Sequence, residues 1–209
     1  MPLRDRIVAA AEQLMLDKGL AHSTTKEIAE AVKCSEGSLY RYFRTKEDLF
    51  LAVLSERLPG LVPSLRQLES RIGTGTVGET LEEVAAAAYE FFRRSIPMFA
   101  SIFAEPSLLA QHRAWMGRQN AGPHRGVALL ADYLAGEQRL GRIRPEADPT
   151  YLATCLLGAC HLRAFSVHFV PLDSLTDQEF CRRTVASLLD GVLAEPADRQ
   201  LTRPGHGHR

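Results

Sequence analysis

The sequence predicts an all-α fold, and three observations carry that expectation. Helix-start signals recur along the chain: Thr24, Thr45 and Thr176 are each followed three residues later by an acid, Glu27, Asp48 and Glu179. Apolar residues recur at spacings of three and four in one segment after another. No alternating run is long enough to compete as a strand.

Taken in order, Leu3, Ile7, Ala10, Ala11, Leu14 and Met15 form one stripe over Arg4 to Lys18, and Gly19 is a C-terminal stop. After a connector at Leu20 to Ser23, Thr24 caps a second helix with Ile28, Ala31 and Val32 inward and Lys26 and Lys33 outward. Ser35 can cap a third helix running to Phe43, and Thr45 a fourth. Three helix starts in so short a stretch suit a helix-turn-helix rather than a plain bundle. The fourth helix carries Leu49, Phe50, Val53, Leu54 and Leu58, is broken or kinked by Pro59-Gly60 and Pro63, and has a possible extension over Leu61 to Ile72.

Gly73-Thr74-Gly75 reads as a flexible break before an amphipathic helix from Val77 to Arg94, with Leu81, Val84, Ala85, Ala88, Phe91 and Phe92 inward. Pro97 is expected to start a separate apolar segment, Met98 to Ala104, followed by a short helix over Pro106 to Met116. Gly122-Pro123 interrupts, and Val127 to Leu140 forms a helix stopped by Gly141. Asp148 caps Thr150 to His168, apolar nearly all round, with Gly158 and Ala159 small enough for another backbone to approach. Thr176 opens a last helix to Leu193 whose face is Phe180, Val185, Leu188, Leu189 and Val192, and the tail from Pro196 is expected to be mobile.

The third helix is the segment with chemistry. On a wheel of about 100° per residue Phe43 lies about 40° from Leu39, so these two are the core anchors. The opposite side carries Gly37, Ser38, Arg41 and Arg44 between Tyr40 and Tyr42. Such a face fits a helix lying in a DNA major groove: Gly37 permits close approach, Arg41 can reach guanine O6 and N7, and the tyrosine hydroxyls can bond phosphates. Lys46 opens the fourth helix, where a positive charge opposes the macrodipole unless a phosphate docks there. Thr25, Ser35 and Thr45 also have a capping explanation, and Glu36 ranks below its neighbours because a carboxylate repels phosphate. The candidate DNA contacts are therefore Thr25, Lys26, Ser35, Gly37, Ser38, Tyr40, Arg41, Tyr42 and Lys46.

Bulk properties narrow the class without naming it. The 209 residues, 45% hydrophobic and 24% charged, suit a globular chain. No apolar run would span a bilayer and no signal peptide is evident, which places the chain in the cytoplasm with no membrane partner. Net charge is zero, and the first fifty residues balance eight cations against eight carboxylates, although all four lysines lie there. Any grip on DNA must then come from placed cations rather than a diffuse basic field. The four cysteines lack CxxC spacing and read as reduced, mostly buried thiols. No catalytic triad, phosphate loop or HExxH motif occurs, so the chain is read as no enzyme, with no cofactor and no metal site; His206 and His208 are given no role.

The segments TTKEIAEAV, CSEGSLYRYF and TKEDLFLAV, in that order, resemble the DNA-binding part of TetR/AcrR-family transcriptional regulators over about residues 4 to 54. Lys33 departs from the pattern, standing where Gly is usual, and is expected either to take positive φ or to sit in a slightly different turn. The resemblance implies an N-terminal helix-turn-helix DNA-binding domain at 1–50, a helical effector-binding and dimerisation domain at 51–195, and a flexible tail at 196–209. It implies a homodimer through the last two helices on a palindromic double-stranded operator, most often as a repressor released by a small hydrophobic or aromatic effector. Aromatic content nominates Phe91, Phe92, Phe99, Phe103, Trp115, His161 and Phe165 as ligand contacts, with ordinary core as the alternative. An activator, a helical ligand carrier or enzyme retaining the head, and a protein–protein adaptor remain alternatives at this level.

Overall fold

A computed structural model describes residues 1–19, 22–57, 61–120 and 122–190, and every regular element among them is helical. The first four are α1 (Leu3–Lys18), α2 (Thr25–Ala31), α3 (Glu36–Tyr40) and α4 (Lys46–Arg57). Then come α5 (Leu61–Arg66), a 3-10 segment (Gln67–Arg71), α6 (Val77–Ala104), α7 (Pro106–Gln119), α8 (Pro123–Arg139), α9 (Pro149–Ser166) and α10 (Asp177–Asp190). Leu20, Leu58, Pro59-Gly60, Val192, Leu193, His206, His208 and the tail lie outside the described residues, as does the side chain of Leu54.

The helix starts follow local chemistry. Thr24 Oγ1 accepts from Glu27 N at 3.1 Å while Glu27 bonds back to Thr24 N, a complete capping box. Asp148 Oδ1 accepts from the amides of Thr150 and Tyr151, and Thr45 and Thr176 accept from Asp48 and Glu179. Helix α2 ends in a six-residue wrap: Cys34 N bonds Ala29 O and Lys33 N bonds Glu30 O, with Lys33 at φ 56°. The Arg6 guanidinium donates to Val32 O at 2.6 Å and closes the same end.

Two cores result. The first joins Ile7, Val8, Ala11 and Met15 of α1 to Ile28 and Val32 of α2, Leu39 of α3, Phe43, and Leu49, Phe50 and Val53 of α4. Met98 and Ile102 of α6 and Leu108 of α7 belong to it as well. The second is built from α5, the 3-10 segment, α6, α8, α9 and α10. Helix α6 therefore enters both, and Arg94 on it donates to Glu12 of α1 at 2.8 Å.

Several expectations are corrected. Helix α6 runs through Pro97 without a break, because packing of Met98 and Ile102 outweighs one missing backbone bond. Past α4, Leu61–Arg66 forms α5 and Gln67–Arg71 a 3-10 segment, while the junction with α4 at 58–60 lies outside the described residues. Ala29, not Ala31, is buried on α2, and α3 stops at Tyr40 rather than Phe43. The Gly73–Gly75 turn is pinned: the fully buried Glu137 accepts from Gly73 N at 3.0 Å, and Arg142, 3.1 Å from Glu137, also reaches Gly75 O. The tight glycine is Gly136, where a Cβ would meet the Ile72 side chain at 2.6 Å, while Gly158 has open space within this subunit. Only Cys160 and Cys181 of the four free thiols are buried.

Replacing Lys33 by Gly keeps the left-handed conformation and relieves its cost to an L-residue, about 1 kcal/mol. The expected result is a melting temperature higher by about 2–4 °C in a calorimetric scan, and a β-branched residue at 33 is expected to lower it.

Candidate nucleic-acid interface

Helix α3 is too short to hold itself, so its orientation comes from its anchors. Leu39 is fully buried, Phe43 is buried beneath the Arg4 guanidinium, and Arg4 is held by a two-point bond to Glu56. Ser35 caps the helix by accepting from Ser38 N at 3.1 Å. With these fixed, Gly37, Tyr40, Arg41, Tyr42 and Arg44 face solvent, and Tyr40 and Tyr42 stay 47% and 48% exposed. Two tyrosines half out of the core of so small a unit have no packing reason to be there.

Gly37 is informative by what surrounds it. Its φ is ordinary, and an added Cβ would meet only Ser35 Oγ, at 3.8 Å. Neither backbone conformation nor internal packing among the described residues requires a glycine at this position.

The charges separate in the same way. Arg4, Arg6 and Lys18 are tied to Glu56, Val32 O and Glu27. Among the described residues, Lys26, Lys33, Arg41, Arg44 and Lys46 have no carboxylate within ion-pair distance. These five cations stand on α2, in the turn after it, just past the end of α3 and at the start of α4, and among the described residues five carboxylates of the same segment, Asp17, Glu30, Glu36, Glu47 and Asp48, likewise have no cation within ion-pair distance. Lys46 and Thr25 are half-buried, Lys26 is exposed, and Thr25 Oγ1 donates to Glu36 Oε1 at 2.7 Å. Arg44 and Lys33 were outside the sequence-nominated contacts; the helical wheel, which set Arg44 beside Arg41, was the available signal.

The nominated ligand residues are not gathered into one site. Phe91 and Phe92 meet at 5.3 Å and Phe92 meets His161 at 5.1 Å, whereas Phe99 and Trp115 are joined through His112. Phe165 pairs with Phe169 near the surface, and Phe103 is 71% exposed. The reason is the continuity of α6: Phe91 and Phe103 stand twelve residues apart on one helix, about 18 Å along its axis. Two depressions occur instead along α10, about 480 Å³ beside Cys155, Phe180 and Leu188 and about 310 Å³ beside Tyr89, Asp177 and Cys181. None of the seven nominated residues lines either. His112 is buried with its Nδ1 unpartnered, and burial lowers its pKa. Among the described residues no group of three His, Cys, Asp or Glu is placed to hold a metal, and no helix is long and apolar enough to cross a membrane.

A model of bacterial regulatory proteins of the tetR family matches residues 7–53. The chain is 30% identical over 149 residues to YvkB, an HTH-type transcriptional regulator of Bacillus subtilis (strain 168), covering 70% of this chain and 75% of that one. It is 42% identical over 55 residues to the HTH-type transcriptional regulator QacR of Staphylococcus aureus, 26% of this chain and 29% of QacR. The fold is similar to that of the transcriptional regulator FadR from Bacillus subtilis, with a TM-score of 0.64 and 16% identity over 90% of this chain and 99% of that one.

The capping box that starts α2 gives a pH signature. Lys18, then the Thr24 amide and hydroxyl, hold the Glu27 carboxyl down to about 2 from an ordinary 4.5. A lowered carboxyl stabilises the fold fully above its ordinary value and loses that effect as pH falls from there through the folded value. The melting-temperature difference between the parent and Glu27→Gln is expected to be constant near neutrality and to shrink between pH 4.5 and 2.

Proposed function

The chain belongs to the tetR family of bacterial regulatory proteins, and from that premise we propose that it is a ligand-responsive repressor that binds a palindromic operator as a homodimer. The outward face of α3 and of the turn after it carries this reading: Gly37 and Tyr40 on the helix and Arg41 and Tyr42 just past it are exposed, Ser38 is partly so, and Leu39 and Phe43 lock the segment from within. In the groove, Arg41 reads base edges. Lys26, Ser35, Tyr42 and Lys46 contact phosphates and fix the register, with Lys46 meeting a phosphate at the α4 N-terminus, and Thr25 and Tyr40 line the same face.

The proposed dimer uses α9 and α10. Tyr151, Leu162 and Phe165 on α9, with Phe169, Val170 and Leu172 beyond it, expose more apolar surface than a lone subunit ordinarily leaves. Gly158, open on that face, leaves room for a partner helix. Two heads then meet half-sites about one helical turn apart. In this reading residues 1–50 are the reading head, 51–195 the effector and dimer domain, and 196–209 a flexible tail.

The effector proposed is a small hydrophobic or aromatic molecule bound in the body. FadR is described in complex with stearoyl-CoA, a hydrophobic ligand on a similar fold. Support for coupling comes from Met98, Ile102 and Leu108, which complete the head's core from α6 and α7. A ligand that displaces α6 moves the head, and misaligned heads lose one half-site.

Arg41 and Lys46 are expected to fail differently. Arg41→Ala relaxes base preference at one position per half-site in a selection of bound duplexes. Lys46→Ala weakens all duplexes alike and lowers the slope of log affinity against log salt by about 0.9 for each phosphate no longer neutralised. Equal loss of base preference in the two variants would contradict this division.

A further inference from the structure

The head carries one exposed carboxylate whose placement the groove reading leaves unused. Glu36 opens α3, one residue after the Ser35 cap, and its Oε1 accepts the Thr25 hydroxyl at 2.7 Å. The same Thr25 oxygen lies 3.4 Å from the Tyr40 hydroxyl. A threonine hydroxyl has one proton, and here it goes to Glu36, so Tyr40 is the donor in the second contact. The result is a directed chain from Tyr40 to Thr25 to Glu36 that bridges α2 and α3 on the outward side. Among the described residues no Lys or Arg is within ion-pair distance of Glu36. The carboxylate is therefore held by geometry and left uncompensated by charge.

Resting on the DNA-binding reading above, we infer that Glu36 is a specificity-determining residue that accepts a hydrogen bond from the N4 amino group of a cytosine in each half-site, with Thr25 as its positioning residue. The first residues of a recognition helix are the ones that reach base edges in the major groove. A carboxylate there can only accept, and cytosine offers a donor at N4. Guanine offers the acceptors O6 and N7, and thymine an acceptor and a methyl group, so both meet Glu36 with repulsion or lost hydration. Adenine donates from N6, but its N7 acceptor lies beside that donor and opposes the second carboxylate oxygen. Discrimination thus comes as much from the bases Glu36 rejects as from the one it accepts. The same charge weakens attraction to arbitrary duplex, because it faces a polyanion. Thr25, its proton engaged, does not donate to a phosphate while this bond holds.

The test is selection of bound duplexes from a random pool with the full-length protein, its Glu36→Gln variant, and Thr25→Val and Thr25→Ser. The parent is expected to recover a palindrome with one strongly required cytosine per half-site. Glu36→Gln is expected to move that single position towards adenine, which Gln can bond through N6 and N7, by roughly 5- to 150-fold, and to leave the other positions unchanged. Thr25→Val is expected to broaden the same position, and Thr25→Ser to restore it. A parent palindrome whose consensus is unchanged in Glu36→Gln, with affinity raised uniformly, would overturn the inference and leave the DNA-binding reading standing. Recovery of no preferred sequence by the parent would overturn both.

Discussion

Burial of Leu39 and Phe43 is the constraint on which the reading head depends. A helix of five residues has too few internal hydrogen bonds to persist in water, so α3 exists because its Leu39 and, just past its end, Phe43 fill a core made with α1, α2 and α4. That burial also fixes its rotation. Once Leu39 and Phe43 point inward, the helical period turns Gly37 and Arg41 outward, and the Ser35 cap leaves no freedom to slide. Local caps and one shared core thus convert a flexible pentapeptide into a rigid face.

The same core ties the face to the rest of the chain. Met98, Ile102 and Leu108 reach it from α6 and α7, and the Arg94–Glu12 pair adds a polar link from α6 to α1. Helix α6 then continues, unbroken at Pro97, into the second core against α9 and α10. A rigid element shared by two cores is a physical route by which rearrangement in one reaches the other.

How much of this the sequence disclosed depended on range. Caps were legible because a Thr, Ser or Asp oxygen meets an amide two or three residues away, as at Thr24, Ser35, Asp148 and Thr176. Leu39 and Phe43 were legible from phase, and the positive φ at Lys33 is one of the two alternatives that the family resemblance left open. The continuity of α6 was not, since Pro97 is a local signal overridden by distant packing. The scatter of the aromatic set was hidden for a related reason: content says nothing of where along a helix each ring falls. Glu36 was discounted as a charge facing phosphate. Its bond to Thr25 spans eleven residues across a turn and becomes visible only when α2 and α3 are folded together.

In the proposed dimer the two fixed faces bind as a unit. The direct measurement compares dissociation constants for a duplex with both half-sites and one in which a single half-site is scrambled, at the same salt. The single-site duplex is expected to bind roughly 100-fold or more weakly, because the second head then gains nothing from being tethered. Equal affinity for the two duplexes would contradict it.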